Sequence, residues 1–313
     1  MSNDNDLNPL KSTRLIGLEN YFQDLCKLYD SKKFPRSILI SGKKGLGKFT
    51  LVNHFLNYIF SKETYDFNEK LINIDSKVYT RQLNGIFHNI IHLRNEGLEK
   101  IKIEDVRNLK KILSQSIING NHRFIILDDV EKLSANSSNA LLKLLEEPSG
   151  NNYFILIDNH EGKVTETIVS RCLKINIFID KLTKFKIIES LLENKKIEKV
   201  LENNEDLDLT PGLFLRYNKI CLENDITVKL DYLSKLEKLL NLYKKSKDRI
   251  FLNLAILFTN VHFYNLSLNE KKRIFLFDSA KNKIIRYIND FFMYNLNLNS
   301  VLNLIQSQIN NAK

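Results

Sequence analysis

The 313-residue sequence has no tryptophan, two methionines, three cysteines, four prolines and ten glycines. Cys26, Cys172 and Cys221 lie too far apart for a disulfide framework or a four-cysteine zinc site. So little glycine and proline excludes a collagen-like or linker-dominated chain and argues against an all-β protein built on tight turns. The opening Met1-Ser2-Asn3-Asp4-Asn5-Asp6 is polar and acidic, without the apolar stretch of a signal peptide. The best candidate for a membrane span, Ile250–Leu266, is interrupted by Asn253, Thr259, Asn260 and His262, so no spanning helix is expected. A soluble, cytoplasmic chain of two or three domains is the expectation.

What the sequence has in quantity is lysine. Lys and Arg together number 47 against 37 Asp and Glu, a formal charge of +10. Such an excess admits a nucleic-acid partner. Its Lys-over-Arg and Asn-rich character is equally what a biased composition produces.

Apolar runs alternate with helical patterns up to about residue 180. The runs are Ser37–Ile40, Ile90–Leu93, Phe124–Leu127, Tyr153–Ile157 and Leu173–Ile177. Unbroken runs of β-formers predict strands covered on both faces, hence a parallel sheet in an α/β fold. Helices are predicted over Ile103–Ile118 and Ser138–Glu147, the second stopped by Pro148. Beyond residue 181 only helical periodicity remains, over Asp231–Lys247, 250–264, 271–288 and 299–310.

After the first predicted strand comes Gly42-Lys43-Lys44-Gly45-Leu46-Gly47-Lys48-Phe49-Thr50, followed by an apolar helical pattern. This is the G-x-x-x-x-G-K spacing between strand and helix. Gly42, Gly45 and Gly47 would let backbone N–H groups cradle phosphates, and Lys48 would reach the outer ones. The next residue should be a Ser or Thr that ligates Mg²⁺; here it is Phe49. Thr50 follows, but one helical step turns a side chain by ~100°. Asp128 and Asp129 close the apolar run Phe124–Leu127. Asp128 is placed to hold Mg²⁺ through water, and Asp129 stands where a water-activating Glu is expected. His88 and His92 are four apart, but strand-like residues lie between them, and they do not read as a metal site.

Several stretches resemble the delta-prime type of bacterial DNA polymerase III clamp-loader subunit, within the AAA+ family. They are Leu15-Ile16-Gly17-Leu18-Glu19, the glycine loop, Ile101–Arg107, the Asn139–Pro148 stretch ending Glu146-Glu147-Pro148, and Ser170-Arg171-Cys172. The resemblance implies an AAA+ P-loop α/β domain over 1–180, a helical lid over 181–226 and an all-α collar over 227–313. It implies that Arg171 acts as an arginine finger on a neighbouring subunit's nucleotide, with Ser170 and Cys172 supporting its loop. Implied partners are gamma/tau and delta subunits in a hetero-pentamer, and a sliding clamp and primed DNA reached through that complex, with no membrane role.

Two departures bear on activity. Residues 51–80 contain no cysteine, so the zinc module of some relatives is not expected. Thr210-Pro211-Gly212-Leu213 places leucine where a nucleotide-sensing lid arginine would fall, and Arg216 lies three residues on. With Phe49 and Asp129, this gives a degenerate site for ATP or ADP with Mg²⁺, and a subunit that hydrolyses poorly while any polymerase activity belongs to the complex. The alternative is an autonomous ATP-hydrolysing motor such as gamma/tau. The charge also divides: most of the +10 falls in the helical half, so it reads as compositional, with DNA met through the complex.

Overall fold

A computed structural model describes residues 8–93, 103–113, 122–148, 150–201 and 208–312. The first hexapeptide, Ile101, Lys102 and the end of the helix expected over 103–118 lie outside them. By internal contact the chain divides into two compact units, Met1–Asn194 with Asp208–Leu215, and Lys195–Leu207 with Arg216–Lys313.

The first unit is built on five parallel strands, β1 (Ser37–Ser41), β2 (Ile90–Leu93), β3 (Arg123–Leu127), β4 (Asn152–Asp158) and β5 (Leu173–Asn176), in the order β2-β3-β4-β1-β5. The registers Ile38↔Ile155 and Ile125↔Phe154 align its central strands. Side chains alternate between faces, so an unbroken apolar run serves two cores at once. Ile38, Ile40, Phe124, Ile126, Ile155 and Ile157 belong to one core, which Phe22 and Leu25 of α1 (Glu19–Asp30) and Leu51, Phe55 and Leu56 of α2 (Lys48–Phe60) complete. Leu39, Ile125, Leu127, Phe154 and Leu156 belong to the other. Val106 and Leu109 of α4 (Ile103–Leu113), Leu141 and Leu145 of α5 (Ala135–Glu146) and Ile168 of α6 (Glu166–Val169) join them. The short α3 (Lys77–Leu83) follows α2 in the chain.

β5 departs from the expected two-sided burial. It is the outer strand beside β1, and Leu173, Lys174 and Asn176 are exposed. An edge strand has a neighbour on one side only, and the charged Lys174 in its middle suits an edge. The unit also holds most of α7 (Lys181–Lys195) and the start of α8 (Pro211–Glu223), where Pro211 occupies the first helical position and gives up an N–H that would have had no intrahelical acceptor.

The second unit is helical: the rest of α8, then α9 (Tyr232–Ser246), α10 (Ile250–Asn269), α11 (Ile274–Tyr294) and α12 (Leu298–Ala312). Leu236, Leu239, Leu240 and Tyr243 form the buried stripe of α9, and Asp231 caps it by accepting from the Ser234 N–H at 3.0 Å. α10 corrects one expectation. Its polar residues do not interrupt it, and by length and composition alone it could cross a membrane. In this unit it packs against α9 and α11, with Leu254, Ala255 and Phe263 buried. The Thr259 hydroxyl donates to the Ala255 carbonyl at 2.8 Å and accepts from Tyr232 at 2.9 Å, so its polarity is satisfied internally.

Candidate functional site

The glycine loop, Asp128-Asp129 and Asn159 follow the carboxyl ends of β1, β3 and β4, three adjacent strands, so they share one edge of the sheet. Ligands of open α/β sheets bind at that edge. Gly45 and Gly47 both have φ of +85°, in the left-handed region where a side chain is strained, so the loop needs glycine at both places.

Lys48 opens α2 and is buried at 3% exposure. Its ammonium is turned back into its own loop, donating to the carbonyls of Gly42 at 2.5 Å and Lys43 at 2.9 Å. Burial pulls its pKa down to about 8, against the pull of Asp128, Asp158, Glu131 and Asp129.

The segment Asp208–Leu213 lies over the loop. The Thr210 hydroxyl donates to the Lys44 carbonyl at 2.6 Å, and the Gly212 N–H donates to the Gly45 carbonyl at 2.8 Å. The approach is close enough that a Cβ on Gly45 would meet Thr210 Oγ1 at 2.4 Å and the Leu213 nitrogen at 2.9 Å. Asp208 accepts from Lys43 and Lys184, both at 2.5 Å. Those two lysines hold its carboxyl down to about 2. The strap therefore bonds two carbonyls of the loop and sets a carboxylate on one of its lysines.

Phe49 is in the core, its ring 5.5 Å from that of His92 on β2, and Thr50 is half-buried one residue later. The position that would carry a Mg²⁺-ligating hydroxyl is filled with packed hydrocarbon. His88 lies in a turn and His92 in a strand, so they do not share a helical face.

Asp128 and Asp129 are gathered by a residue that sequence reading missed. Asn159 Nδ2 donates to Asp128 Oδ1 at 3.0 Å and to Asp129 Oδ1 at 2.7 Å. Asp129 has φ of 57°, a left-handed conformation that Asp tolerates better than most residues. Burial disfavours its charge, but Asn159 and Lys132, which donates at 3.0 Å, hold its carboxyl below the usual range. Glu161 accepts from Lys44 at 2.9 Å and pairs with Lys132 at 2.6 Å. The carboxylates of Asp129, Glu131 and Glu161 converge within 4.8 Å, a grouping that could hold a cation, yet Lys44 and Lys132 already neutralise much of it. Burial pushes the Glu131 carboxyl up. Asn159 was findable: it is the first polar side chain beyond Asp158 on the strand between β1 and β3. Asp208 was not, since it is one more acid after Glu202, Glu205 and Asp206.

A nucleotide with Mg²⁺ is the group that such a loop implies. Two residues as arranged do not fit it: Lys48 is satisfied by its own loop, and Phe49 offers no ligand.

Ser170, Arg171 and Cys172 stand elsewhere. They follow α6 and precede β5, so in a parallel sheet they lie at the edge opposite the glycine loop. Arg171 pairs with Glu146 at 2.5 Å and donates to the Thr167 carbonyl at 2.9 Å. Ser170 is exposed and its hydroxyl donates to the same carbonyl at 3.1 Å. Cys172 packs against the second core, and burial pushes its thiol up to about 11. Arg216, in the second unit, sits 3.8 Å from Asp248.

A family model described as DNA polymerase III, delta subunit, matches residues 17–180, more than half of the chain. The chain belongs to this family. Among curated relatives of this delta-family chain, DNA polymerase III subunit delta' of Buchnera aphidicola (Schizaphis graminum) is 31% identical over 156 residues, covering 48% of this chain and 45% of the relative. Subunit tau of Bacillus subtilis is 26% identical over 228 residues, covering 70% of this chain and 39% of the relative. The delta-family chain thus spans less than half the length of these relatives. A solved gamma-subunit-related protein of Thermotoga maritima aligns over 92% of this chain and 99% of its own, at 18% identity and a TM-score of 0.45. The family model and the delta' relative bear out the delta-prime clamp-loader resemblance, and the α/β sheet followed by an all-helical region is the architecture that resemblance implied.

Proposed function

We propose that this chain is the delta-prime-type subunit of a bacterial clamp loader. In this reading it assembles with gamma/tau and delta subunits in a hetero-pentamer in the cytoplasm, and with them places a sliding clamp on primed DNA. Residues 181–226 serve as lid and 227–313 as collar. It donates Arg171 to the nucleotide of a neighbouring motor subunit and hydrolyses ATP weakly or not at all.

The observation that carries this reading is the placement of Arg171. β5 begins two residues after it and runs four residues toward the glycine-loop edge, a rise of ~3.3 Å per residue. That puts the guanidinium well beyond reach of its own Lys48, so it does not serve its own glycine loop, which supports a role in trans. Lys48 held by its own loop and the buried Phe49 support the absence of turnover at the chain's own site.

The test is reconstitution with the motor subunit. Arg171→Ala is expected to leave assembly intact and to lower DNA-dependent ATP hydrolysis by about 10³-fold at the site that Arg171 completes, the scale of an arginine finger. Lys48→Ala should leave hydrolysis unchanged. An unchanged rate in R171A sinks the trans role, and brisk Mg²⁺-dependent turnover by the isolated chain would make it a motor.

A further inference from the structure

α5 ends against the usual electrostatics of a helix. The carbonyl end of a helix carries partial negative charge and favours cations, yet its last residue is Glu146 and its cap is Glu147. The cation that answers Glu146 comes from another element. Arg171 Nη2 meets Glu146 Oε1 at 2.5 Å, while Nη1 donates to the Thr167 carbonyl at 2.9 Å. One guanidinium is thereby held at two nitrogens by acceptors on α5 and α6. Ser170 Oγ, 3.4 Å from Nη1, donates to the same Thr167 carbonyl, which ties the turn together.

The side chains are 35% and 47% exposed, and an ion pair so open adds little to stability. What it fixes is direction. An arginine has a long, rotamer-rich side chain, and ordering it on contact with a phosphate costs affinity for the transition state unless the ordering is already done. A guanidinium has five N–H donors in a rigid fork. Nη1 is engaged by Thr167 and Ser170 and Nη2 by Glu146, and a five-donor fork so held keeps further donors at Nη2 and Nε to face a ligand.

We infer that Glu146 is a positioning residue for Arg171, holding its guanidinium in one orientation before a neighbouring subunit's nucleotide arrives. This rests on the proposed role of Arg171 in trans, and it adds that the helix ending in Glu146-Glu147-Pro148 and the Ser170-Arg171-Cys172 turn act as one device.

The test is a double-mutant cycle in the reconstituted complex with its motor subunit, using ATP and primed DNA. Glu146→Ala is expected to lower kcat by about three- to tenfold, the cost of ordering one such side chain, with KM for ATP and the stoichiometry of the complex unchanged. Glu146→Gln, which keeps an acceptor oxygen at the same place, should recover part of the loss and guards against a folding defect in the alanine variant. In an R171A background, E146A should cost nothing further. The inference is overturned by an unchanged or raised kcat in E146A, or by an effect of equal size in the R171A background, which would mark Glu146 as acting on its own. If R171A itself leaves hydrolysis unchanged, the parent reading fails, whatever Glu146 does.

Discussion

Removing the charge of Asp208 should open the glycine loop. The Asp208 carboxylate holds Lys43 of the loop and Lys184 of α7, both at 2.5 Å. Its pKa falls from 3.8 to about 2 because those two ammonium groups stabilise the charged form. Taken at face value the shift corresponds to ~2.4 kcal/mol, at ~1.36 kcal/mol per unit. The side chain is 45% exposed, so solvent screening reduces this to ~1 kcal/mol. If a nucleotide binds only to the loop with its strap lifted, apparent affinity scales with the lifted fraction. Asp208→Asn should then tighten binding about fivefold, the factor that ~1 kcal/mol represents. The assay is a fluorescent ATP-analogue titration of the full chain at low salt, with K48A as the negative control. The sign with pH follows from a depressed carboxylate. Its contribution is complete above about pH 4 and is lost as pH falls toward 2, so neither the closure nor the variant's gain should change between pH 6 and 8. A folded D208N that binds no more tightly than the parent refutes the strap as the barrier.

Gly212→Ala attacks the same closure without changing charge. Its Cβ would stand 3.0 Å from the Cα and the carbonyl oxygen of Gly45, backbone atoms that cannot swing aside, so nucleotide affinity should rise in the same titration. Phe49→Ser restores the hydroxyl of the loop motif but hollows the core beside His92. A loss of ~3 kcal/mol is expected, read as a melting temperature lower by about 6–12 °C, with no gain in hydrolysis. Turnover gained at unchanged stability would show that Phe49 alone disables the site. His54 is buried, its Nε2 3.0 Å from the Ser12 carbonyl and its Nδ1 3.0 Å from the Tyr65 hydroxyl, and burial pulls its pKa down to about 4. Folding excludes its proton, so stability falls as pH drops from 6.5 toward 4. This group should remove ~2 kcal/mol between pH 7 and pH 5. Urea melts at the two pH values should show that slope, and His54→Gln should flatten it. Burial lifts Cys26 and Cys221 to about 12 and Cys172 to about 11. A disulfide reagent at pH 8 should label the native chain slowly, Cys172 first, and all three rapidly in denaturant.

The sheet was legible because its central strands are covered on both faces. Ile38-Leu39-Ile40 and Phe124–Leu127 must be apolar at every position, and an unbroken run is visible without any partner. β5 was legible as a strand but not as an exposed edge, because Leu173 and Ile175 are apolar whether or not a helix covers them. Its place in the order is set by long-range pairing with β1, which leaves no local mark. The glycine loop was legible from spacing, since left-handed φ at Gly45 and Gly47 ties residue type to backbone shape. The loop's occupation was not. Lys48 turns onto carbonyls of its own loop, which the spacing does not reveal, and Asp208 on Lys43 joins residues 165 apart in the chain. Arg171 was found through its neighbours in sequence, whereas its pairing with Glu146 joins two stretches that only the fold brings together.

Charge makes the same point more sharply. The glycine-loop edge holds Lys43, Lys44, Lys48 and Lys132, which from composition alone resemble a phosphate-binding surface. Each is answered within the first unit: Lys43 by Asp208, Lys44 by Glu161, Lys132 by Asp129 and Glu161, and Lys48 by two carbonyls. To bind a triphosphate there, the chain would have to break those contacts first, and their cost would be subtracted from the affinity. At the other edge Arg171 meets the Glu146 carboxylate at Nη2, and the Thr167 carbonyl and Ser170 hydroxyl at Nη1. In the proposed reading the basic group offered to a phosphate is then Arg171, at the edge of the sheet that carries no glycine loop.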